Sequence, residues 1–150
     1  MSDRRTRVAS SILLGFGFLS AAAFAALMQH SETTIPIPVP GEKVALAKLE
    51  YRARFVASID AVTLELASPE TADPVVAEWT FAGSNTDGQA HRVEIAVRLL
   101  DEGGSQRAVF STRAVLPAGA TARQISLSTK VKPEVWKATK KTRIFADWMS

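Results

Sequence analysis

The sequence predicts an all-β protein, an antiparallel β-sandwich that follows a single transmembrane α-helix. Three observations support this: residues 8–28 form an uncharged apolar run, apolar residues recur at every second position from residue 44 onward, and turn-forming residues separate the alternating sets. We divide the chain into a cytoplasmic N-terminus (residues 1–7), the transmembrane helix (8–28), a Pro-rich linker (29–44) and an extracytoplasmic sandwich domain (45–150).

The apolar run is long enough to cross a bilayer. Its 21 residues would extend roughly 31 Å as a helix, against a hydrocarbon core of about 30 Å. Three arginines within residues 4–7 precede the run, and the first charge after it is Glu32. This excess of basic residues predicts a single-pass protein of the inner (cytoplasmic) membrane, with its N-terminus in the cytoplasm and its C-terminal domain in the periplasm.

The same residues also fit a cleaved secretory signal. The arginines would form its charged region, residues 12–19 its apolar core, and Ala23-Phe24-Ala25 an A-x-A cleavage site. The anchor is favoured because apolar residues continue past that site to a full bilayer width.

Small residues line one face of the predicted helix. Gly17, Ala21 and Ala25 lie four positions apart, which lets another membrane helix approach closely. They are the candidate packing residues toward other subunits. A lipid-facing anchor without a partner would fit the same alanine-rich pattern.

Prolines alternate with β-branched residues in the predicted linker. Pro36, Pro38 and Pro40 each fix φ and push the preceding residue toward an extended conformation. Residues 33–41 are therefore expected to form a stiff, polyproline-like spacer of about 3.1 Å per residue. The alternative is an arm whose three β-branched residues lie along a partner.

Seven short strands are predicted from the period-two alternation. They cover residues 49–55, 62–66, 77–81, 93–99, 108–114, 125–131 and 144–148. Short connections between successive strands indicate an antiparallel two-sheet sandwich. Residues 133–141 are expected to form a short helical connection, since Pro133 suits a first helical turn. Trp79 and Trp148 lie in alternating strands and are predicted to be core residues.

One stretch carries a family resemblance. The alternating strand at residues 79–85 and the later segment 97–101, which leads into Gly103, resemble the FxLYD-type, immunoglobulin-like β-sandwich domains of secreted and membrane-anchored bacterial proteins. In that pattern an aromatic residue opens the motif and another precedes the Asp, whereas Val97 and Leu100 occupy those places here. The resemblance covers about residues 75–130. It implies an immunoglobulin-like fold and an extracytoplasmic location, and no activity.

The sequence offers no visible catalytic or metal-binding apparatus. It has no cysteine and no G-x-S-x-G nucleophile elbow. Its two histidines, His30 and His91, are far apart and are expected to be solvated. Outside residues 1–7, 15 basic side chains stand against 14 acidic ones, which argues against a nucleic-acid binder. We therefore expect a protein that is not an enzyme and takes no cofactor, metal or small-molecule substrate.

Basic residues are concentrated near the C-terminus. Residues 130–143 carry six positive charges against only Glu134. With Trp136 as an amphipathic anchor among them, this segment is the candidate contact surface for a partner protein or for anionic lipid headgroups. A solvated strand edge protected by lysines would have the same composition. The six basic residues are Lys130, Lys132, Lys137, Lys140, Lys141 and Arg143.

Together these features predict a non-catalytic structural or accessory subunit. Its helix would pack into a larger membrane complex, for example a respiratory or photosynthetic one, and its sandwich would brace the outer face. The expected partners are other subunits of that complex and membrane lipid. The alternative is a periplasmic binding or adhesion module, anchored or secreted after cleavage. This alternative predicts an apolar pocket or an exposed sheet edge at one end of the sandwich.

Overall fold

The computed structural model describes residues 28–46, 49–50 and 56–149. In this part of the chain, eight β-strands and one short helix, α1 (Pro133–Ala138), follow one another. The strands are β1 (Met28–Pro36), β2 (Lys43–Ala45), β3 (Ala57–Leu66), β4 (Val75–Asn85), β5 (His91–Leu100), β6 (Gln106–Leu116), β7 (Arg123–Val131) and β8 (Lys141–Met149).

The strands form two four-stranded antiparallel sheets. Sheet A has the order β1-β8-β5-β6, and sheet B has the order β2-β3-β4-β7. The hairpins β3–β4 and β5–β6 each remain within one sheet, whereas the chain crosses between sheets after β1, β4, β6 and β7. The predicted all-β antiparallel sandwich is thereby confirmed. Six of the seven predicted strands coincide with β3 to β8, and most of the remaining one, residues 51–55, lies outside the described residues.

The core lies between the two sheets and is built from the inward residues of the alternating strands. Trp79 and Trp148 are fully buried there, which confirms both as core residues. The indole Nε1–H of Trp79 donates to the Thr129 hydroxyl at 3.1 Å, and that hydroxyl donates to the Ala77 carbonyl at 3.3 Å. Thr142 is equally buried, yet its hydroxyl has no hydrogen-bond partner among the described residues.

The predicted Pro-rich linker over residues 29–44 is wrong. Residues 28–36 form strand β1, which pairs with β8 from Met28 opposite Met149 to Pro36 opposite Lys141. Ile35 and Ile37 pack against the core of the chain's own sandwich, so this segment is neither a spacer nor a free arm. The described residues 28–44 therefore belong to the sandwich, which places them ahead of the predicted domain boundary at residue 45.

Position in the sheet explains why β1 can end in a proline. β1 is an edge strand of sheet A, and its outer side needs no backbone donors. Pro36, the last residue of β1, therefore leaves the pairing with β8 intact. Inward and exposed side chains alternate along β1: Ser31 and Ile35 point inward, while Glu32 and Pro36 are exposed.

The predicted transmembrane helix lies almost entirely outside the described residues. Gly17, Ala21 and Ala25 belong to the part of the chain for which no placement is described, and only Met28 of that helix is described, as the first residue of β1. Within the described ranges, α1 is too short to span a bilayer, and no helix there qualifies as a membrane span.

Candidate interaction surface

The basic residues near the C-terminus gather around one end of the sandwich. This end, which we call the lysine end, contains the last residues of β1 and β5, the first residue of β8, and helix α1. The opposite end, the Met28 end, contains Met28, Met149 and the start of β5 at His91. Because α1 carries the chain from β7 in sheet B to β8 in sheet A, its Lys137 and the flanking Lys132 and Lys140 lie at the end between the two sheets.

The structure divides the predicted basic segment into three parts. Lys130 is exposed on the outer face of sheet B, and Lys141 and Arg143 lie on the outer face of sheet A, on the other side of the core. Lys132, Lys137 and Lys140 are exposed at the lysine end itself. The segment therefore does not form one continuous patch, although three of its lysines do lie close to the same short helix.

Trp136 does not serve as an exposed anchor. It is only 8% exposed and belongs to the hydrophobic core, so the prediction that it lies on the contact surface as an interface anchor is wrong. The physical reason is local. α1 begins at Pro133 and ends at Ala138, and the hydroxyl of the capping residue Thr139 donates to the Val135 carbonyl at 2.8 Å. Trp136 is the one buried residue of this short helix, and it packs in the core.

Two shallow grooves flank α1 at the lysine end. The first, about 370 Å³, lies between Trp136 and the segment that follows β1, where Val39 is 58% exposed. The segment that follows β1 is attached by a backbone hydrogen bond, in which the Ile37 N–H donates to the Lys140 carbonyl at 3.2 Å. The second groove, about 530 Å³, lies on the other side of Lys137. Both have an apolar floor and a charged rim, to which Glu70 contributes a negative charge.

The sequence pattern did not single out one further basic residue of this region, Arg98. Arg98 on β5 pairs directly with Arg143 on β8, and its guanidinium lies over the Phe145 ring at 4.5 Å. The exposed alternation of β5 places Arg98 on the outer face, but the pairing with a residue 45 positions later depends on the register of two strands that are distant in sequence. No sequence signal gives that register.

The two histidines are not simply solvated. His91 is 5% exposed and its Nε2 lies 2.8 Å from Asp87 Oδ2. His30 belongs to β1 and is exposed, with Nδ1 hydrogen-bonded to Asp147 and Nε2 3.2 Å from Glu32. The hydrogen bond to Asp147 raises the pKa of the His30 imidazole above its ordinary value, because the protonated ring can donate to a carboxylate from both nitrogens.

Within residues 28–46, 49–50 and 56–149, no group of three or more His, Asp or Glu side chains is arranged to hold a metal ion. His30 and its two carboxylate partners form a hydrogen-bonded charge cluster on the outer face of sheet A.

No protein-family model matches the chain, and no curated protein matches it. Similar solved structures include a β-glucuronidase from glycoside hydrolase family 2 (12% identity, TM-score 0.36), where 47% of this chain covers 7% of that one. Another is a DUF1425 family member from Shewanella sp. pv-4 (12% identity, TM-score 0.34), with 75% of this chain and 94% of that chain covered. A third is the Avr2 effector protein from Fusarium oxysporum (10% identity, TM-score 0.35), with 78% and 86% covered.

The chain spans only 7% of the length of the β-glucuronidase. Because the TM-scores are low, the assignment of an antiparallel β-sandwich rests on the two sheets themselves.

Proposed function

We propose that this chain is a non-catalytic, single-pass accessory subunit of a membrane protein complex, whose sandwich contacts its partner through the lysine end. One observation supports this most directly. Strand β1 begins at Met28, where the apolar run ends, and it is paired with β8 along its whole length. A helix over the preceding residues would then join the sandwich with no flexible spacer between them, which suits a subunit that braces an assembly.

The direction of β1 decides what the lysines can reach. From Met28 to Pro36 the strand has nine residues and rises about 27 Å away from the proposed membrane surface. Exposed charges are screened over about 8 Å at physiological ionic strength. Lys137 and Lys140 would thus lie too far out to interact with headgroups of the anchoring membrane. The acidic surface of a partner protein is the better match, and lipid contact by these lysines is disfavoured.

We also propose that the sandwich is immunoglobulin-like and similar to the FxLYD-type domains, and the order of its strands supports the immunoglobulin-like arrangement. The neighbours β3-β4-β7 follow the order of strands A, B and E of an immunoglobulin sheet, and β6-β5-β8 follow the order C′, C and F. The place of strand G beside F is taken by β1, which comes from the N-terminal side of the chain. An N-terminal strand in this place joins the sheet directly to the proposed anchor.

The test is purification of the native protein in a mild detergent, followed by intact mass measurement and identification of co-purifying subunits. We expect a mass that includes residues 8–27 and a stable complex. The variant Lys137→Glu/Lys140→Glu should release the subunit, whereas the matched control Lys43→Glu/Arg123→Glu, which reverses two exposed charges elsewhere, should not. Recovery of the full-length chain solely as a free monomer would refute the proposal.

The grooves beside Trp136 favour a second candidate, a periplasmic binding or adhesion module. Their apolar floors lie between loops at one end of the sandwich, where such a module would hold a peptide or glycan. This function predicts that tryptophan fluorescence changes on titration with a panel of short peptides and oligosaccharides, and that Val39→Asp weakens the response. An intact mass showing that the native chain starts near Ala26 would favour this candidate over the anchored subunit.

A further inference from the structure

The outer face of sheet A carries two arginines directly opposite each other. Arg98 on β5 and Arg143 on β8 are register partners, so their Cβ atoms are about 5 Å apart. Arg98 is exposed and stacks on Phe145; Arg143 is half-buried, and its Nε–H donates to the Thr34 hydroxyl at 3.3 Å. Neither guanidinium forms an ion pair with any described residue.

Two of the three other arginines on the strands of sheet A have carboxylate partners, and the third, Arg92, forms no ion pair with a described residue. Arg113 pairs with Glu94 at 2.8 Å, and Arg107 pairs with Asp101 at 3.0 Å. Arg98 and Arg143 differ from Arg92 because they face each other on neighbouring strands, which places two guanidinium groups without a carboxylate partner side by side. Like charges directly opposite each other on neighbouring strands are unfavourable, so this arrangement weakens the isolated sheet and would be relieved by an anion.

The outer face of sheet B shows the same arrangement with the opposite sign. Glu65 on β3 and Glu78 on β4 are register partners. Glu65 is exposed, while Glu78 is half-buried and accepts a hydrogen bond from the Ser128 hydroxyl at 2.8 Å. Neither carboxylate forms an ion pair within the described part of the chain, although Lys43 and Lys130 lie on adjoining strands of the same sheet.

The two pairs match in spacing and in height. Each consists of one exposed and one half-buried side chain on neighbouring central strands, so the distance between the two arginines resembles that between the two glutamates. Both pairs also lie within three residues of the lysine end, because Arg143 is two residues from the start of β8 and Glu78 three residues from the start of β4.

We propose that copies of this chain associate face to face in a row, with the arginine pair of one copy against the glutamate pair of the next. A translation that stacks sheet A of one sandwich on sheet B of its neighbour brings Arg98 and Arg143 to Glu65 and Glu78 at the same height. The sheets then remain aligned, as the two sheets of one sandwich already are. The contact is heterologous and does not close, so it generates an open row.

This self-association uses surfaces other than the lysine end, and it goes beyond the partner contact proposed above. If the chain is anchored as proposed, all copies in a row stand upright in one membrane, because the contact involves no rotation. The second copy is the favoured occupant because the complementary charges are present on the chain itself, at matching spacing.

The size of the faces predicts weak association. The four strands of sheet A cover roughly 600 Å², and sheet B, whose β2 has only three residues, covers roughly 500 Å², so a complete contact lies near the lower limit for specific interfaces. Lys43 and Lys130 beside the glutamate pair, and Glu32 on β1 near the arginine pair, reduce the attraction further. We therefore expect association that is strongly salt-dependent and that increases when the copies share a membrane.

The experiment measures self-association of the full chain in mild detergent by analytical ultracentrifugation, at about 50 mM and about 500 mM salt. We expect oligomers at low salt that dissociate at high salt. Arg98→Glu/Arg143→Glu should lower the association constant at least about tenfold, as should Glu65→Arg/Glu78→Arg. The fourfold variant that combines both pairs exchanges the charges and should restore association.

The control Lys137→Glu/Lys140→Glu changes net charge by the same amount as the arginine-pair reversal, at exposed residues of the lysine end and away from both outer faces, and should leave self-association unchanged. Circular dichroism checks that each variant folds; if a reversal does not fold, Arg98→Gln/Arg143→Gln takes its place. A wild-type chain that is monomeric at low salt would overturn the inference, and so would a folded fourfold variant that fails to associate. Self-association of the wild-type chain together with the recovery of no partner subunit would count against the proposed function alone.

Discussion

Trp136 provides a sharp test of how the lysine end is built, because burial and surface anchoring predict different results for one substitution. Its side chain is 8% exposed and packs in the core, while its neighbour Lys137 is exposed. Truncation of a buried aromatic residue to Ala lowers the free energy of unfolding by about 3–5 kcal/mol, whereas truncation of an exposed side chain changes it by about 0.5 kcal/mol or less.

The expected shift in melting temperature follows from the size of the domain. A sandwich of roughly 120 residues has an unfolding entropy of about 0.25 kcal/mol/K near its midpoint. Trp136→Ala should therefore lower Tm by about 12–20 °C, and Lys137→Ala by about 2 °C or less. Trp136→Phe should retain much of the lost stability, because a ring still fills the site.

The assay is thermal unfolding by circular dichroism of the full chain and its variants in one detergent buffer. Reversibility is checked by a second scan. If Trp136→Ala and Lys137→Ala shift Tm by the same small amount, Trp136 lies on the surface and the account of the lysine end given above is wrong.

Three further predictions concern the fold. Thr129→Val removes the acceptor of the buried Trp79 indole N–H and should lower the free energy of unfolding by about 1–3 kcal/mol. Thr142→Val removes a buried hydroxyl that has no described partner, so the free energy of unfolding should stay unchanged or rise. Urea unfolding of both variants measures the difference. The pKa of His30 is raised in the folded state, so its stabilising contribution is complete below the ordinary pKa of 6.5 and is lost as pH rises through the folded-state pKa. Urea titrations from about pH 5.5 to 8.5 should therefore show wild-type stability falling with pH, and His30→Asn should reduce this pH dependence. Amides of β1 that donate to β8 should be protected from hydrogen exchange, and full exchange of these amides within the dead time would show a spacer instead.

Period-two alternation was sufficient to place β3 to β8, because the inward positions of those strands are occupied by apolar residues. In β4, for example, Val75, Ala77, Trp79 and Phe81 are all fully buried. The same pattern fails in β1, where the inward Ser31 is polar and its hydroxyl donates to the Ala146 carbonyl at 3.4 Å. A strand that satisfies its inward groups by hydrogen bonding carries no alternation of hydrophobicity.

Prolines misled the interpretation of the same segment. Their effect on φ was anticipated correctly, since an extended backbone is common to polyproline and β conformations. Whether such a segment is free or paired depends on whether an edge strand is available beside it. That edge is provided by β8, more than 100 residues later in the chain, and no local pattern reveals it.

The candidate site was predictable in composition and not in arrangement. The sequence identified the concentration of lysines in residues 130–143, yet the chain turns twice within that segment, from β7 into α1 and from α1 into β8. Consecutive basic residues therefore lie on three different surfaces. Arg98 joins one of them only through cross-strand register.

The pairing of β1 with β8 links the two proposals, because it sets the height of every charged feature relative to Met28. Met28 lies opposite Met149, and Pro36 lies opposite Lys141, so β8 runs back toward the proposed membrane surface with Arg143 near its outer end. A flexible spacer would allow the sandwich to tilt, and neither the lysine end nor the arginine pair would have a defined height. With β1 fixed in the sheet, neighbouring copies present complementary pairs at one level while their lysine ends all face outward. Lateral association would therefore present several lysine ends to one partner. Even a weak contact between copies would then increase the overall affinity for a larger assembly.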